Sequence, residues 1–295
     1  MIKARITDKI ATTFFYVIAV SVLLLLFSIV GYLLYKGGST LSFNFITSAP
    51  KFMEAGGGVG PQLFNSFYLL VLSMIITIPA GVGAGIYMAE YAKPGFITNF
   101  IRLCIETLAS LPSIVIGLFG FLIFVNTFHW GFSLMSGALA ISVLNLPSMA
   151  RISEDAIRSV HPSIKEASLS LGATKWETIY KVMLPSAMPQ LITGAIITGG
   201  RVFGEAAALL YTAGMTTPEL RFDQNPFLKS SPFNPFRPAE TLSVYIWKVN
   251  SEALAPDSRQ IADGASALLL IFVFTFNIVS RFLGKVLYKR YTGSD

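Results

Sequence analysis

Charge is what this sequence has least of. Only 13% of its 295 residues are Asp, Glu, Lys or Arg, about half the share of an ordinary soluble domain, so a water-facing surface cannot cover it all round. Cysteine occurs once, at Cys104, which excludes an internal disulfide; its place in an apolar run reads as packing rather than a catalytic thiol. Histidine occurs twice, and His129 and His161 fall in separate loops without metal-ligand spacing. A phosphate-cradling loop is also missing: Lys36-Gly37-Gly38-Ser39 reverses the order such a loop needs, and Gly60 runs straight into Pro61. No nucleophile sits beside a base, and no basic stripe interleaved with aromatics suggests nucleic acid. Neither nucleotide hydrolysis nor a cofactor is therefore expected in this chain.

Apolar residues make up 53% of the sequence and gather into six charge-poor runs, 14–35, 63–89, 103–126, 132–149, 188–211 and 265–283. Each is long enough to cross roughly 30 Å of hydrocarbon at about 1.5 Å per helical residue. The runs are continuous rather than alternating, which fits helices that satisfy their own backbone and not barrel strands. The expected fold class is all-α integral membrane, with six transmembrane helices. Lys3, Arg5 and Lys9 precede a first run too long for a signal peptide and lacking a clear cleavage site, so it is expected to remain as a span. With the N-terminus inside, Lys and Arg favour the cytoplasmic side two to one, which places both termini in the cytoplasm.

On this plan residues 1–62 carry the first span and a glycine-rich outer loop, 63–287 form the helical core, and 288–295 are a cytoplasmic tail. Within the core, 150–187 is a cytoplasmic segment and 212–263 a long outer loop rich in Pro and Phe. Pro238-Ala239-Glu240, followed by Leu242, Tyr245, Ile246 and Val249, predicts a short amphipathic helix at the outer surface, either an interfacial lid or a contact for an external protein. Pro79 with Gly81, Gly83 and Gly85 allows a kink or a close helix approach, while Pro112 and Pro147 are expected to kink or end helices. Glu90 and Glu106 lie near span ends, where a carboxylate reaches water. Asn65, Ser66, Ser110, Ser113 and Asn145 suit either a solute or neighbouring helices.

The segment 162–185 has a readable local shape. Pro162 suits a first helical position, and about two turns can form before Gly172 supplies a left-handed break. Thr174 then stands three residues before Glu177, a capping-box spacing that starts a second helix bounded by Pro185. The expected apolar edge, Ile164, Ala167, Leu171, Trp176, Ile179 and Tyr180, has too little core to stand alone. It packs under its own bundle or against a partner.

Arg201 and Glu205 lie well inside the fifth run and, four apart in one helix, would share a face. An arginine near the bilayer centre costs about 2.5–3.5 kcal/mol on insertion scales, so it must face protein or a water-filled path. Two readings follow: a buried ion pair locking helices, or a guanidinium fork offered to a tetrahedral oxyanion and steadied by Glu205.

The order Glu166-Ala167, Gly172, Leu184-Pro185 resembles the cytoplasmic EAA loop of binding-protein-dependent importer permeases, with Ser168 where many members carry a second alanine. The run from Gly200-Arg201-Val202-Phe203-Gly204-Glu205 through Tyr211-Thr212-Ala213-Gly214 resembles, more narrowly, the PstA-type permeases of phosphate importers. That resemblance covers most of the chain after about residue 60. It implies a type I permease fold in a prokaryotic inner membrane, with Arg201 and Glu205 on a phosphate pathway. It also implies that Glu166, Ala167 and Gly172 dock on an ATP-binding-cassette ATPase dimer, beside a homologous second permease and an external phosphate-binding protein. A permease for sulfate or molybdate, and an ion-coupled carrier working alone, remain as alternatives.

Overall fold

The computed structural model describes residues 2–51, 53–228, 230–252 and 255–292, and every regular element among them is helical. The first apolar run lies in α1 (Ile2–Gly38), with Phe14, Phe15, Leu24, Leu25 and Phe27 all facing outward. Such a surface is compatible with lipid and not with water. After the short α2 (Phe43–Thr47) come α3 (Gly60–Ile86), continued by a π-turn at Tyr87–Tyr91, then α4 (Phe96–Ser110) and α5 (Ser113–Gly120), continued by a wider turn at Phe121–Thr127. The chain goes on through α6 (Leu134–Arg158), α7 (Pro162–Ser170) and α8 (Lys175–Thr178). A π-turn at Ile179–Met183 then leads into α9 (Leu184–Gly204), followed by α10 (Ala207–Thr212), α11 (Leu242–Glu252) and α12 (Ser258–Thr292). Of the tail expected at 288–295, helix α12 covers 288–292 and residues 293–295 lie outside the described residues.

Among the described residues, four helical stretches are long and apolar enough on their own to cross a membrane: Thr7–Gly38, Gly60–Tyr91, Lys175–Gly204 and Ser258–Val286. A fifth candidate is the pair formed by α4 and the α5 segment, which together are long and apolar enough but bent by 103° at a break before Ser113. Pro112 explains the break, since it lacks an N–H and forces the preceding residue out of helical geometry. The run 132–149 lies within α6, which is 25 residues long but diluted by Ser136, Ser142 and Asn145. These polar residues are tolerated because α6 is the most enclosed helix, with 16 of its residues buried.

The seam between α3 and α6 fixes the topology. A side chain on Gly81 would come within 2.5 Å of Met149, and one on Gly85 would strike Ser153 and reach 2.7 Å from Glu154 N. The glycines thus permit close packing, and α3 runs through Pro79 without a break. Both contacts advance together along the two helices, so α3 and α6 are parallel. Parallel neighbours require the intervening segment to cross back, which is what the bent α4–α5 span does. By contrast α12 is antiparallel to α9, since Gly199 meets Phe276 and Ile192 meets Gly284.

The outer end is closed by a lock around Arg237, whose relative exposure is 0%. Its guanidinium donates to Asn65 Oδ1 at 2.7 Å and to the carbonyls of Pro232 and Pro238. Burial pushes this guanidinium down to about 10, leaving it charged at neutral pH. Asn65 also donates to Thr217 and to the Glu240 carbonyl. The Glu240 carboxylate takes bonds from Gln62 at 2.8 Å and Lys248 at 3.1 Å; burial raises its pKa against these two partners. The outer helix begins at Leu242 rather than near Pro238, because Glu240 and Thr241 are held by this network. Leu242 and Tyr245 are buried against Phe45, Ile261 and Leu268, so α11 is part of the outer core rather than a free lid. Replacing Arg237 by Leu removes a desolvated charge but strands Asn65 Oδ1 and Pro232 O, a net loss of about 2 kcal/mol. The expected outcome is an apparent melting temperature in detergent lower by roughly 5 °C, with Arg237→Lys intermediate; equal melting of all three proteins would count against the lock.

Candidate functional site

The cytoplasmic segment folds as its local signals dictate. His161 caps α7 through Nδ1, which accepts from Ser163 N at 3.3 Å, and Pro162 opens the helix. At Gly172 the backbone turns left-handed, with φ +85, a conformation that disfavours any residue with a Cβ. Thr174 and Glu177 form the expected reciprocal capping box, with Thr174 N donating to Glu177 Oε2 at 3.0 Å and Glu177 N to Thr174 Oγ1 at 3.3 Å.

One expectation fails in an informative way. The second helix does not end at Pro185 but continues through α9 to Gly204, a single stretch from Lys175 to Gly204. The π-turn at Ile179–Met183 widens the helix just before Pro185, where an ordinary turn would crowd the proline ring against the carbonyl four residues back. The expected apolar edge also divides. Ile179 is buried with Met183 against Ala156 and Ile157, whereas Ile164, Leu171, Trp176 and Tyr180 stay outside; Leu171 is 90% and Trp176 60% exposed. Trp176 and Tyr180 stack at 6.4 Å. Glu166, Ala167 and Gly172 are all exposed on this same protrusion, and α7 has no buried residue.

Glu90, read from sequence as a water-reaching carboxylate, holds the protrusion instead. It sits in the π-turn that ends α3 and accepts from Lys165 Nζ at 2.6 Å. Lys175 Nζ lies 3.8 Å from the same carboxylate, bonds the Glu90 carbonyl, and stands 4.5 Å over the Tyr91 ring. One largely buried carboxylate therefore ties both halves of the loop to α3. Nearby, Glu154 takes Arg102 at 2.5 Å and Arg158 at 3.0 Å, while Glu106 meets Arg151 at 3.5 Å.

Arg201 and Glu205 are not brought together. Helix α9 ends at Gly204, and Glu205 turns to an extended backbone, ψ 124, so the two residues share no helix face. Glu205 Oε1 accepts from Ala208 N at 3.2 Å, and its carbonyl accepts from Ser243 at 2.6 Å; it joins α9, α10 and α11. Arg201 is exposed and has no hydrogen-bond or ion-pair partner among the described residues. It follows Gly200, where a side chain would come within 3.5 Å of Asn277 Nδ2, within the apolar run of α12. Ser186, Thr193, Ile197 and Gly204 are exposed at helical spacing along the same side of α9. Among the other polar candidates, Asn65 and Ser66 serve the outer lock, Ser110 bonds within α4, and Asn145 is buried with both side-chain polar atoms unpaired.

Residues 81–293 match the family described as binding-protein-dependent transport system inner membrane component. The chain belongs to that family. It is 55% identical to the probable ABC transporter permease protein YqgI of Bacillus subtilis, over 98% of this chain and 99% of that one. It is 30% identical to the phosphate transport system permease protein PstA of Haemophilus influenzae, over 84% and 83% of the two chains. Among solved structures it resembles a bacterial alginate ABC transporter, with a TM-score of 0.66 and 15% identity over 96% of both chains. It also resembles the inward-facing MetNI methionine transporter, with a TM-score of 0.56 and 18% identity over 78% of this chain and 94% of that one. The fold is that of a type I ABC importer permease, and the protein belongs to a family of multi-pass membrane permease subunits.

Glu90→Gln removes the charge that both lysines answer. Because Lys165 and Lys175 are partly solvated, the loss is discounted to about 1 kcal/mol. Amide hydrogen exchange across 162–171 should quicken about fivefold while that of α6 stays unchanged; unaltered exchange in α7 would dissociate Glu90 from the loop's placement.

Proposed function

We propose that this chain is the phosphate-translocating permease subunit of an ATP-driven importer. It works beside a second permease, receives phosphate from an external binding protein, and is driven by a cytoplasmic ATPase dimer docked on the protrusion. The observation that carries this reading is mechanical: Trp176 of the protrusion and Arg201 of the membrane-level face belong to one helical stretch, Lys175–Gly204. A displacement of the loop by an ATPase is thereby delivered to the arginine without an intervening joint of loose chain.

The face around Arg201 supports the same reading. An unpaired guanidinium at that depth is costly against lipid, and the small residues Gly200 and Gly204 beside it leave room for a solute or a facing subunit. Five donors in a planar fork match a tetrahedral oxyanion, and the PstA relatives favour phosphate over sulfate or molybdate. Glu205 is placed to hold the α9–α10 corner beside the arginine rather than to neutralise it. On the protrusion, Leu171, Trp176 and Tyr180 give the apolar contact an ATPase groove would cover, with Glu166, Ala167 and Gly172 shaping its tip.

Two substitutions separate drive from passage in vesicles carrying the whole transporter. Glu166→Arg should abolish uptake and reduce ATPase recovery with the permease. Arg201→Gln should leave assembly intact but lower phosphate uptake by at least tenfold. Normal ATP-driven uptake in Glu166→Arg with a normal complex would reject the docking role. Unchanged uptake in Arg201→Gln would remove Arg201 from the pathway, and stronger competition by sulfate or molybdate than by phosphate would reassign the substrate.

A further inference from the structure

Between the cytoplasmic halves of α9 and α12 lies a groove of about 270 Å³, lined by Pro189, Ile192, Thr193, Ile196, Arg281 and Lys285. Its floor is Gly284, where a side chain would come within 2.6 Å of Ile192, so the groove exists because this position has none. Arg281 and Lys285 are four apart on α12 and share a face. Both are exposed, and neither has a carboxylate or hydrogen-bond partner among the described residues. Two like charges are therefore held together against one concave surface. They stand at the cytoplasmic end of the apolar run 265–283, where basic residues flanking a span reach the headgroup region. Ile192 and Ile196 continue the groove, Ile196 lying one turn nearer the membrane centre along α9. The Thr193 hydroxyl donates to the Pro189 carbonyl at 2.8 Å, leaving its oxygen free to accept.

We propose that this groove binds an anionic phospholipid of the cytoplasmic leaflet, phosphatidylglycerol in chemistry. Arg281 and Lys285 hold the phosphate, Thr193 accepts from a headgroup hydroxyl, and an acyl chain lies along Ile192 and Ile196. Charge complementarity selects an anion, and the apolar wall selects one that carries a hydrocarbon chain. A free phosphate shares the oxyanion chemistry but makes no use of the two isoleucines. The bound lipid wedges α9 against α12 below Arg201, independently of what passes along the face above.

The test uses the full chain in detergent, supplemented with phosphatidylglycerol, phosphatidylcholine or inorganic phosphate, with bound lipid read by native mass spectrometry and stability by thermal melting. Phosphatidylglycerol should be retained in preference to phosphatidylcholine and should raise the melting temperature, while inorganic phosphate does neither. The double variant Arg281→Gln and Lys285→Gln should bind phosphatidylglycerol on the order of 30-fold more weakly, equivalent to about 2 kcal/mol. Lys285→Gln alone should weaken it about fivefold, and the charge-preserving pair Arg281→Lys and Lys285→Arg should keep most of it. Wild-type retention by the double variant overturns the proposal. So does stabilisation by inorganic phosphate that equals the lipid's and disappears in the double variant, which would make the groove a site for the free anion.

Discussion

The close parallel contact of α3 with α6 is the constraint from which the rest of the architecture follows. It forms because Gly81 and Gly85 present no side chain where Met149 and Ser153 arrive. Once those two helices run the same way, residues 96–127 must return across the membrane, and Pro112 lets them do so as two pieces. The burial of most of α6 then makes Ser136, Ser142 and Asn145 tolerable in a chain otherwise poor in polar groups. At the cytoplasmic end the same seam brings the α3 terminus, with Glu90, next to the segment that follows α6. The anchorage of the protrusion is thus an extension of the helix contact.

What could be read in advance was what is local. The Thr174 and Glu177 capping box, the left-handed turn at Gly172 and the Pro162 start are each decided within a few residues, and each is found as expected. The apolar runs likewise gave the fold class. Long-range partnerships were not legible: Arg237 meets Asn65 across 172 positions and Lys165 meets Glu90 across 75. Neither arginine nor glutamate carries a neighbouring signal that says which distant group will satisfy it. The Arg201 and Glu205 spacing misled for a related reason. Four apart implies a shared face only inside a continuous helix, and here the helix stops at Gly204, with Ser243 held on the Glu205 carbonyl and the Glu205 carboxylate turned to cap Ala208 N at the start of α10. Pro185 misled in the opposite direction, since a proline ends a helix only where the preceding turn cannot widen.

Polar groups in this protein are concentrated at two levels, and their treatment differs. On the outside, Arg237, Glu240 and Gln62 are buried and bonded, which makes that end rigid. On the inside, Glu90 and Glu154 are anchored while the lysines and arginines they hold remain partly solvated. A bonded outer end and a solvated, ion-paired inner end fit the proposed reading, in which force enters from the cytoplasmic side.

The π-turns on either side of the protrusion, at Tyr87–Tyr91 and Ile179–Met183, set an angular phase. Each contains one residue more than an α-helical path of the same length would need, and one residue corresponds to about 100° of rotation about the helix axis. The direction in which Trp176 points and the direction in which Arg201 points are therefore related through that inserted residue. A deletion within 179–183 that restored regular helix would leave every side chain chemically intact, yet turn the arginine face by roughly a quarter circle relative to the surface below it.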